Sequence, residues 1–443
     1  MVRNKLKKDD LTLSKGFILA IQHLFAMFGS TVLVPTLTGL NPGIALFTSG
    51  VGTLIFHLIT KGQVPAYLGS SFAFIGPIIA AKEGYGLPAA LLGCFVAGLI
   101  YILMSAVIKK IGTGFIDDYL PPVVVGPVIM TIGLGLAPVA KDMSMTHLPT
   151  AIFTLAVTIG VSVLGRGMFK VIPILIGIIS GYIFAAVNGL VDISAIQAAD
   201  WIALPKFTSV FELESWGAGI SAIALIAPVA IVTMVEHLGD VLALSKTVDK
   251  NFIEEPGLHR TLLGDGVATA FASLAGGPPN TTYGENIGVL ALTGVHNPVI
   301  VEMAAVIVLA MSFIQKVGAA IQTIPQSVMG GIVILLFGMI ASIGLRTLVE
   351  NKVDLSKNRN LVIVSTILVI GISGIPFTIN FIELAKFLHL DGINIIDKIV
   401  NQIKVLEFQG MGLAAMIGIL LNILLPKTKR VSSSKEDQKE EVA

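Results

Sequence analysis

The sequence predicts an all-α polytopic membrane protein of fourteen transmembrane segments, folded as two inverted seven-span repeats. Three observations lead there. The chain is 54% hydrophobic and only 13% charged, with a mean hydropathy of +0.88, whereas soluble domains carry about 25% charged residues. Its apolar residues gather into fourteen segments. Short matches recur in the same order across the two halves. The composition excludes a soluble enzyme with a single anchor. A net charge of +1 without a large basic block gives no argument for nucleic acid. The one cysteine, Cys94, lies in an apolar run, so neither an intramolecular disulfide nor a cysteine metal cluster is available. The residues call for no metal and no cofactor.

The N-terminal stretch Met1 to Lys15 is basic and polar, and no small-residue cleavage site follows the first apolar run. No removable signal peptide is therefore expected. Apolar segments follow at 16–40, 43–60, 68–81, 87–108, 121–140, 149–165 and 171–190. The second set lies at 218–241, 261–275, 284–294, 297–315, 327–345, 359–373 and 410–426. Segments 68–81 and 284–294 are too short to cross about 30 Å of hydrocarbon as simple helices, and Gly, Ser or Thr interrupts both. Fourteen spans place both termini on one side. With the termini inside, the inner segments hold about 22 Lys and Arg and the outer loops 7, as the positive-inside rule requires. Stretch 374–409 is the weakest, and Phe381 to Leu388 reads as an amphipathic outer helix.

The internal matches are Gln22-His23-Leu24 with Glu236-His237-Leu238, and Gly69-Ser70-Ser71-Phe72 with Tyr283-Gly284-Glu285. Lys110-Ile111-Gly112 with its following Pro121 and Gly126 matches Lys316-Val317-Gly318 with Pro325 and Gly330. An odd number of spans separates the halves, so the repeats are inverted. Short, Gly-interrupted segments at corresponding places in inverted halves point to a transporter's binding site.

The tenth segment carries the most polar stretch, Gly276 to Val289, with Pro278-Pro279, Asn280, two threonines, Tyr283, Gly284 and Glu285. Two adjacent prolines forbid a helix through this point. Irregular backbone survives in lipid only where protein buries it or it lines a cavity. A carboxylate at that depth is a functional candidate by default.

Four stretches carry a family resemblance: Gln22 to Gly29, Pro65 to Phe74, Glu236 to Gly239 and Pro279 to Val289. They resemble the nucleobase–ascorbate transporter family, and within it the bacterial branch that carries uracil with protons. The resemblance implies a core domain from spans 1–4 (16–115) and 8–11 (218–316). It implies a gate domain from spans 5–7 (121–205) and 12–14 (327–426), then a cytoplasmic polar tail, 427–443. It further implies short strands in spans 3 and 10 that pair at mid-membrane, placement in the cytoplasmic membrane with both termini inside, and uptake by alternating access. A homodimer is compatible with it.

The residues fit such a ligand chemically. Uracil is a flat, neutral ring whose edge alternates carbonyl acceptors and N–H donors. Glu236 and Glu285 offer acceptors, backbone N–H groups after Tyr283 (Gly284 first) offer donors strengthened by the helix dipole, and Phe72 and Tyr283 offer an apolar wall. Each has a plainer reading. Glu236 and Asp240 would be charges at a helix end, Glu285 a cap on its own helix, Phe72 core, and the Tyr283 hydroxyl a packing contact. Asp240 lies four residues after Glu236, on the same helical face. The resemblance implies a proton-linked His or Asp there. His23 and His237 read as hydrogen-bonded packing residues, and Asp265 and Glu302 as interhelical pairs. Phe337 falls where some family members have Tyr.

Competing classes are weaker. No HExxH, GxSxG or phosphate-binding loop supports an enzyme. A channel filter usually needs rings from several subunits. An anion carrier of the same architecture would meet two repelling carboxylates. The purine branch of the family, carrying xanthine or uric acid, usually has Gln where Glu285 stands.

Overall fold

The computed structural model describes residues 12–387 and 405–426. Helix forms in each of the fourteen apolar segments, and local chemistry accounts for many of the ends. Helix α1 (Leu13–Thr38) starts where the Thr12 hydroxyl accepts the Lys15 N–H, and stops at Gly39, whose φ of 69° suits a residue without Cβ. Helix α2 (Pro42–Ile59) starts where the Asn41 side chain accepts N–H bonds from Gly43 and Ile44. Strand β1 (Leu68–Ser70) follows, then a 3₁₀ turn at Phe72–Phe74 and helix α3 (Ile75–Tyr85). The first half continues with α4 (Leu87–Ile111), α5 (Gly114–Tyr119), α6 (Pro122–Gly135), α7 (Ala137–Met145), α8 (Leu148–Leu164), α9 (Pro173–Val187) and α10 (Ser194–Ala198).

The second half opens with α11 (Trp216–Ile226) and α12 (Val229–Val248), separated at Ala227-Pro228 where the sequence suggested one segment. Helix α13 (Leu258–Leu274), strand β2 (Asn280–Thr282) and α14 (Gly284–Thr293) come next. Helices α15 (Pro298–Ser312) and α16 (Gln315–Gln322) meet at a bend of 83°. Helices α17 (Gln326–Glu350) and α18 (Asn358–Ser373), strand β3 (Phe377–Asn380), α19 (Phe381–Phe387), β4 (Val405–Phe408) and α20 (Gly410–Leu424) complete the described chain. Among the described residues six helices or helix pairs are long and apolar enough to cross a membrane, or seven with the bent α15–α16 pair counted as one. Four shorter apolar helices, α8, α9, α18 and α20, accompany them. This is a multi-pass membrane protein.

Strands β1 and β2 pair antiparallel, Leu68 opposite Thr282, Gly69 opposite Thr281 and Ser70 opposite Asn280. The ladder extends at both ends: the Ser71 N–H donates to the Pro279 carbonyl, and the Tyr283 N–H to the Tyr67 carbonyl, each at 2.9 Å. Backbone groups that two broken helices would leave unpaired in an apolar surround thus satisfy one another.

In the 374–409 stretch the structure differs from expectation. Residues 377–380 pair with 405–408 as a second antiparallel ladder, Phe377 opposite Phe408, which the sequence did not suggest, while α19 (Phe381–Phe387) forms where the amphipathic helix was expected. Residues 388–404 lie outside the described residues, as do the basic N-terminal stretch 1–11 and the polar tail 427–443.

Helices approach closely where glycine removes the side chain. A Cβ on Gly98 would sit 2.9 Å from the Gly266 carbonyl oxygen, and one on Gly266 3.0 Å from that of Gly98, where α4 crosses α13. A Cβ on Gly126 would sit 2.9 Å from the Gly344 carbonyl where α6 crosses α17. Small residues supply such contacts because lipid gives helices no hydrophobic reason to associate.

Candidate binding site

The site grows from the strand pair. Each strand runs directly into a helical turn: β1 into the 3₁₀ turn that begins at Phe72, and β2, through Tyr283, into α14 at Gly284. Antiparallel pairing therefore brings together the N-terminal ends of two half-helices. Their first-turn N–H groups have no partner within the helix, and they make a positive end on each side. Helix α12 packs against the 3₁₀ turn, β2 and α14, and it carries Glu236 and Asp240.

Of the residues singled out from sequence, Glu236, Asp240 and Glu285 come together. Glu285 and Asp265 are the acidic neighbours of Glu236, and Glu236, Glu285 and Asp265 those of Asp240. The carboxylates of Glu236, Asp240 and Glu285 are half-buried and have no cationic partner among the described residues. Asp240 is two turns short of the end of α12 at Val248, so it is not a helix-end charge. A Cβ built on Gly284 would lie 3.4 Å from Asp240 Oδ1, which sets this carboxylate against the first residue of α14. Gly284 itself is exposed, and Phe72 is half-buried beside a cluster that contains Leu336 and Phe337.

Tyr283, expected as part of an apolar wall, is buried in the structure. Its ring is 3% exposed and packs with Tyr67, Leu24 and Met27. Its hydroxyl donates to the Ser70 carbonyl at 3.0 Å and lies 3.2 Å from the Thr31 hydroxyl, which donates to it. The side chain thus ties β1, α1 and α14 together. Phe72, by contrast, is only half-buried.

Sequence reasoning missed Ser30 and Thr31, the α1 residues that hold the second half-site. The Ser30 hydroxyl donates to Glu285 Oε1 at 2.6 Å. Nothing in an apolar helix marks such a hydroxyl, since most helical Ser and Thr donate to their own backbone. His23 and Asn286 add a contact at 3.1 Å between the same elements, with Asn286 also donating to the His23 carbonyl at 3.0 Å.

Behind the carboxylates lies a fully buried polar network. Asp265 Oδ2 is 2.9 Å from His237 Nδ1, and both side chains are wholly buried. The Thr282 hydroxyl donates to Asp265 Oδ1 at 3.1 Å, and the Thr282 N–H donates to Oδ2 at 3.3 Å. The Thr261 hydroxyl spends its hydrogen on the Leu258 carbonyl, so it accepts from His237 Nε2 at 3.0 Å. Asp265 and His237 thereby fasten β2 to α12 and α13. Glu302 pairs with His57 between α15 and α2 at 3.5 Å, so both acidic residues left over from the sequence join helices.

A cavity of about 530 Å³ reaches Glu285 and Gly288 from one side. Its walls are Phe25 and Ala26 of α1, Ile174 and Leu175 of α9, and Ile332, Leu336 and Met339 of α17. Gly167, Lys170 and Val171 lie in the connection before α9. Its lining is mostly apolar and includes the Glu285 carboxylate, as small-molecule sites usually combine apolar walls with a few polar groups.

The sequence model of the Permease family matches residues 14–379. The chain belongs to the nucleobase–ascorbate transporter family. It is 48% identical over 432 residues to the uracil permease of Bacillus subtilis (strain 168), covering 95% of this chain and 94% of that protein. Its identity to the uracil permease of Bacillus caldolyticus is 49% over 447 residues, 98% of each. Among solved structures it is similar to the murine Slc26a9 anion transporter in the inward-facing state. The TM-score is 0.64 at 12% identity, over 93% of this chain and 68% of that one. At that identity the likeness concerns the fold alone.

Proposed function

We propose that this family member takes up uracil across the cytoplasmic membrane together with protons, by alternating access. The observation that carries the reading is Glu285 in the first turn of a half-helix and in the lining of an apolar cavity, with Glu236 on the helix α12 that packs against that half-helix. Carboxylates accept from ring N–H groups, the first-turn N–H groups of Gly284 and its neighbours donate to ring carbonyls, and Phe72 offers a face to stack on. The uracil permeases among its relatives, similar over nearly their whole length, support the same ligand. An anion would meet unpaired carboxylates here, so the likeness in fold to an anion transporter does not transfer its cargo.

The reading takes α1–α4 with α11–α16 as the core domain and α6–α9 with α17, α18 and α20 as the gate, within fourteen spans in two inverted halves. Packing supports it. Helix α13 lies on α2 and α4, and α2 on α15, while α17 lies on α6, α7 and α8 and α18 on α6 and α20. Two contacts correspond across the halves: the α4–α13 crossing at Gly98 and Gly266 has its counterpart at Gly50 of α2 and Ala305 of α15. With the termini inside, Arg166 and Lys170 face the cytoplasm, and the cavity is the inward-open path.

Uptake of labelled uracil by the purified protein in liposomes, competed by other bases, tests the ligand. Uracil competes fully, whereas cytosine and adenine compete poorly. Cytosine reverses donor and acceptor on one edge, and each opposed buried pair costs about 1–3 kcal/mol. Xanthine competing as well as uracil would move the protein to the purine branch.

A further inference from the structure

Many serines and threonines in these helices spend their hydrogen on their own helix, although Thr31, Ser49, Ser105 and Thr269 reach outside it. Thr36 donates to the Val32 carbonyl, Thr38 to Val34, Thr154 to Thr150, Thr158 to Thr154 and Ser245 to Val241, each four residues back. Ser30 is a further exception. Its hydroxyl is fully buried, and it reaches across from α1 to Glu285 Oε1 at 2.6 Å, the length of a strong hydroxyl–carboxylate bond. No described residue donates to Oε2 of the same carboxylate.

We propose that Ser30 is a positioning residue that sets the ligand specificity of Glu285. The proposal rests on reading this place as the uracil site. An ionised carboxylate only accepts, and the single hydrogen of Ser30 is already given to it. The corner made by Ser30 and Glu285 therefore offers a ligand acceptors and no donor, with Oε2 the free, oriented one. It favours a ring edge that presents N–H and opposes one that presents a bare ring nitrogen. Without the Ser30 bond the Glu285 side chain is free to rotate about its own bonds. The site then loses both the orientation of Oε2 and part of its preference for N–H donors.

The test compares Ser30→Ala and Ser30→Cys with the unaltered protein in liposomes. Cysteine keeps nearly the size of serine but is a weak donor. The expected result for both is a KM for uracil raised about ten-fold, as loss of one charge-assisted hydrogen bond implies, with the maximal rate within about two-fold. Competition by cytosine should strengthen relative to uracil. A general packing defect would lower the amount of active protein and hence the maximal rate, not KM. Unchanged KM in both variants overturns the proposal, and so does a raised KM in Ser30→Ala alone, which would mean that size matters and not the hydrogen bond. Glu285→Gln, run alongside, separates this failure from failure of the site itself. If Glu285→Gln loses uracil uptake while the Ser30 variants behave normally, only the role of Ser30 falls. If Glu285→Gln transports uracil normally, the uracil site falls with it.

Discussion

Glu236→Gln abolishes concentrative uracil uptake, bringing the accumulation ratio to unity. Uracil is neutral, so neither the membrane potential nor its own charge drives it uphill, and a cotransported cation must. The group that binds this cation has to titrate and has to sense the ligand. The proposed mechanism gives both tasks to Glu236. It is half-buried on α12, has no cationic partner among the described residues, and has Glu285 and Asp265 as acidic neighbours. An amide takes up no proton, and it also places an N–H₂ where the ligand brings an N–H. Opposing two donors in a buried site costs about 1–3 kcal/mol, a factor of roughly 5 to 150 in affinity. Equilibrium binding of labelled uracil and uptake against a gradient, measured on the same preparation, should both fail. Full accumulation by the variant would remove Glu236 from the coupling.

Asp240→Asn separates binding from coupling, because it should keep the first and lose the second. Asp240 shares the helical face of Glu236, and its Oδ1 lies against Gly284 at the start of α14. Asparagine retains an acceptor for that helix end but removes the carboxylate to which the proposal gives the proton. Uracil affinity is expected to stay within about three-fold, since the change leaves one hydrogen-bond acceptor in place. Accumulation driven by an inward proton gradient should disappear. If the variant accumulates uracil with an unchanged pH dependence, Asp240 only complements the helix dipole.

What the sequence revealed and what it hid follow from the range of each signal. Pro278-Pro279 and the glycines announced a break in the tenth segment because they act on their own backbone. Glu236 and Asp240 stood out because charge is expensive among apolar neighbours and their spacing of four is a helical repeat. Partners distant in the chain stayed hidden. Ser30 meets Glu285 255 residues away, and in sequence it is one hydroxyl among many in apolar helices. The burial of Tyr283 was also invisible, since a tyrosine beside a broken helix fits a ligand wall or a brace equally well. Strands β3 and β4 have four residues each and lie far apart in sequence, too short an alternation to stand out, whereas the helical pattern that begins at Phe381 was legible and forms α19. Asp265 and His237 could be suspected of pairing, but only the fold reveals that Thr282 of β2 joins them.

Uracil uptake into proteoliposomes under an imposed pH gradient, with no Na⁺ gradient, tests the central claim most directly. An acidic exterior should drive accumulation above equilibrium, and an uncoupler that collapses the gradient should release the excess. Accumulation that requires Na⁺ and ignores the pH gradient would contradict proton coupling, and with it the roles given to Glu236 and Asp240.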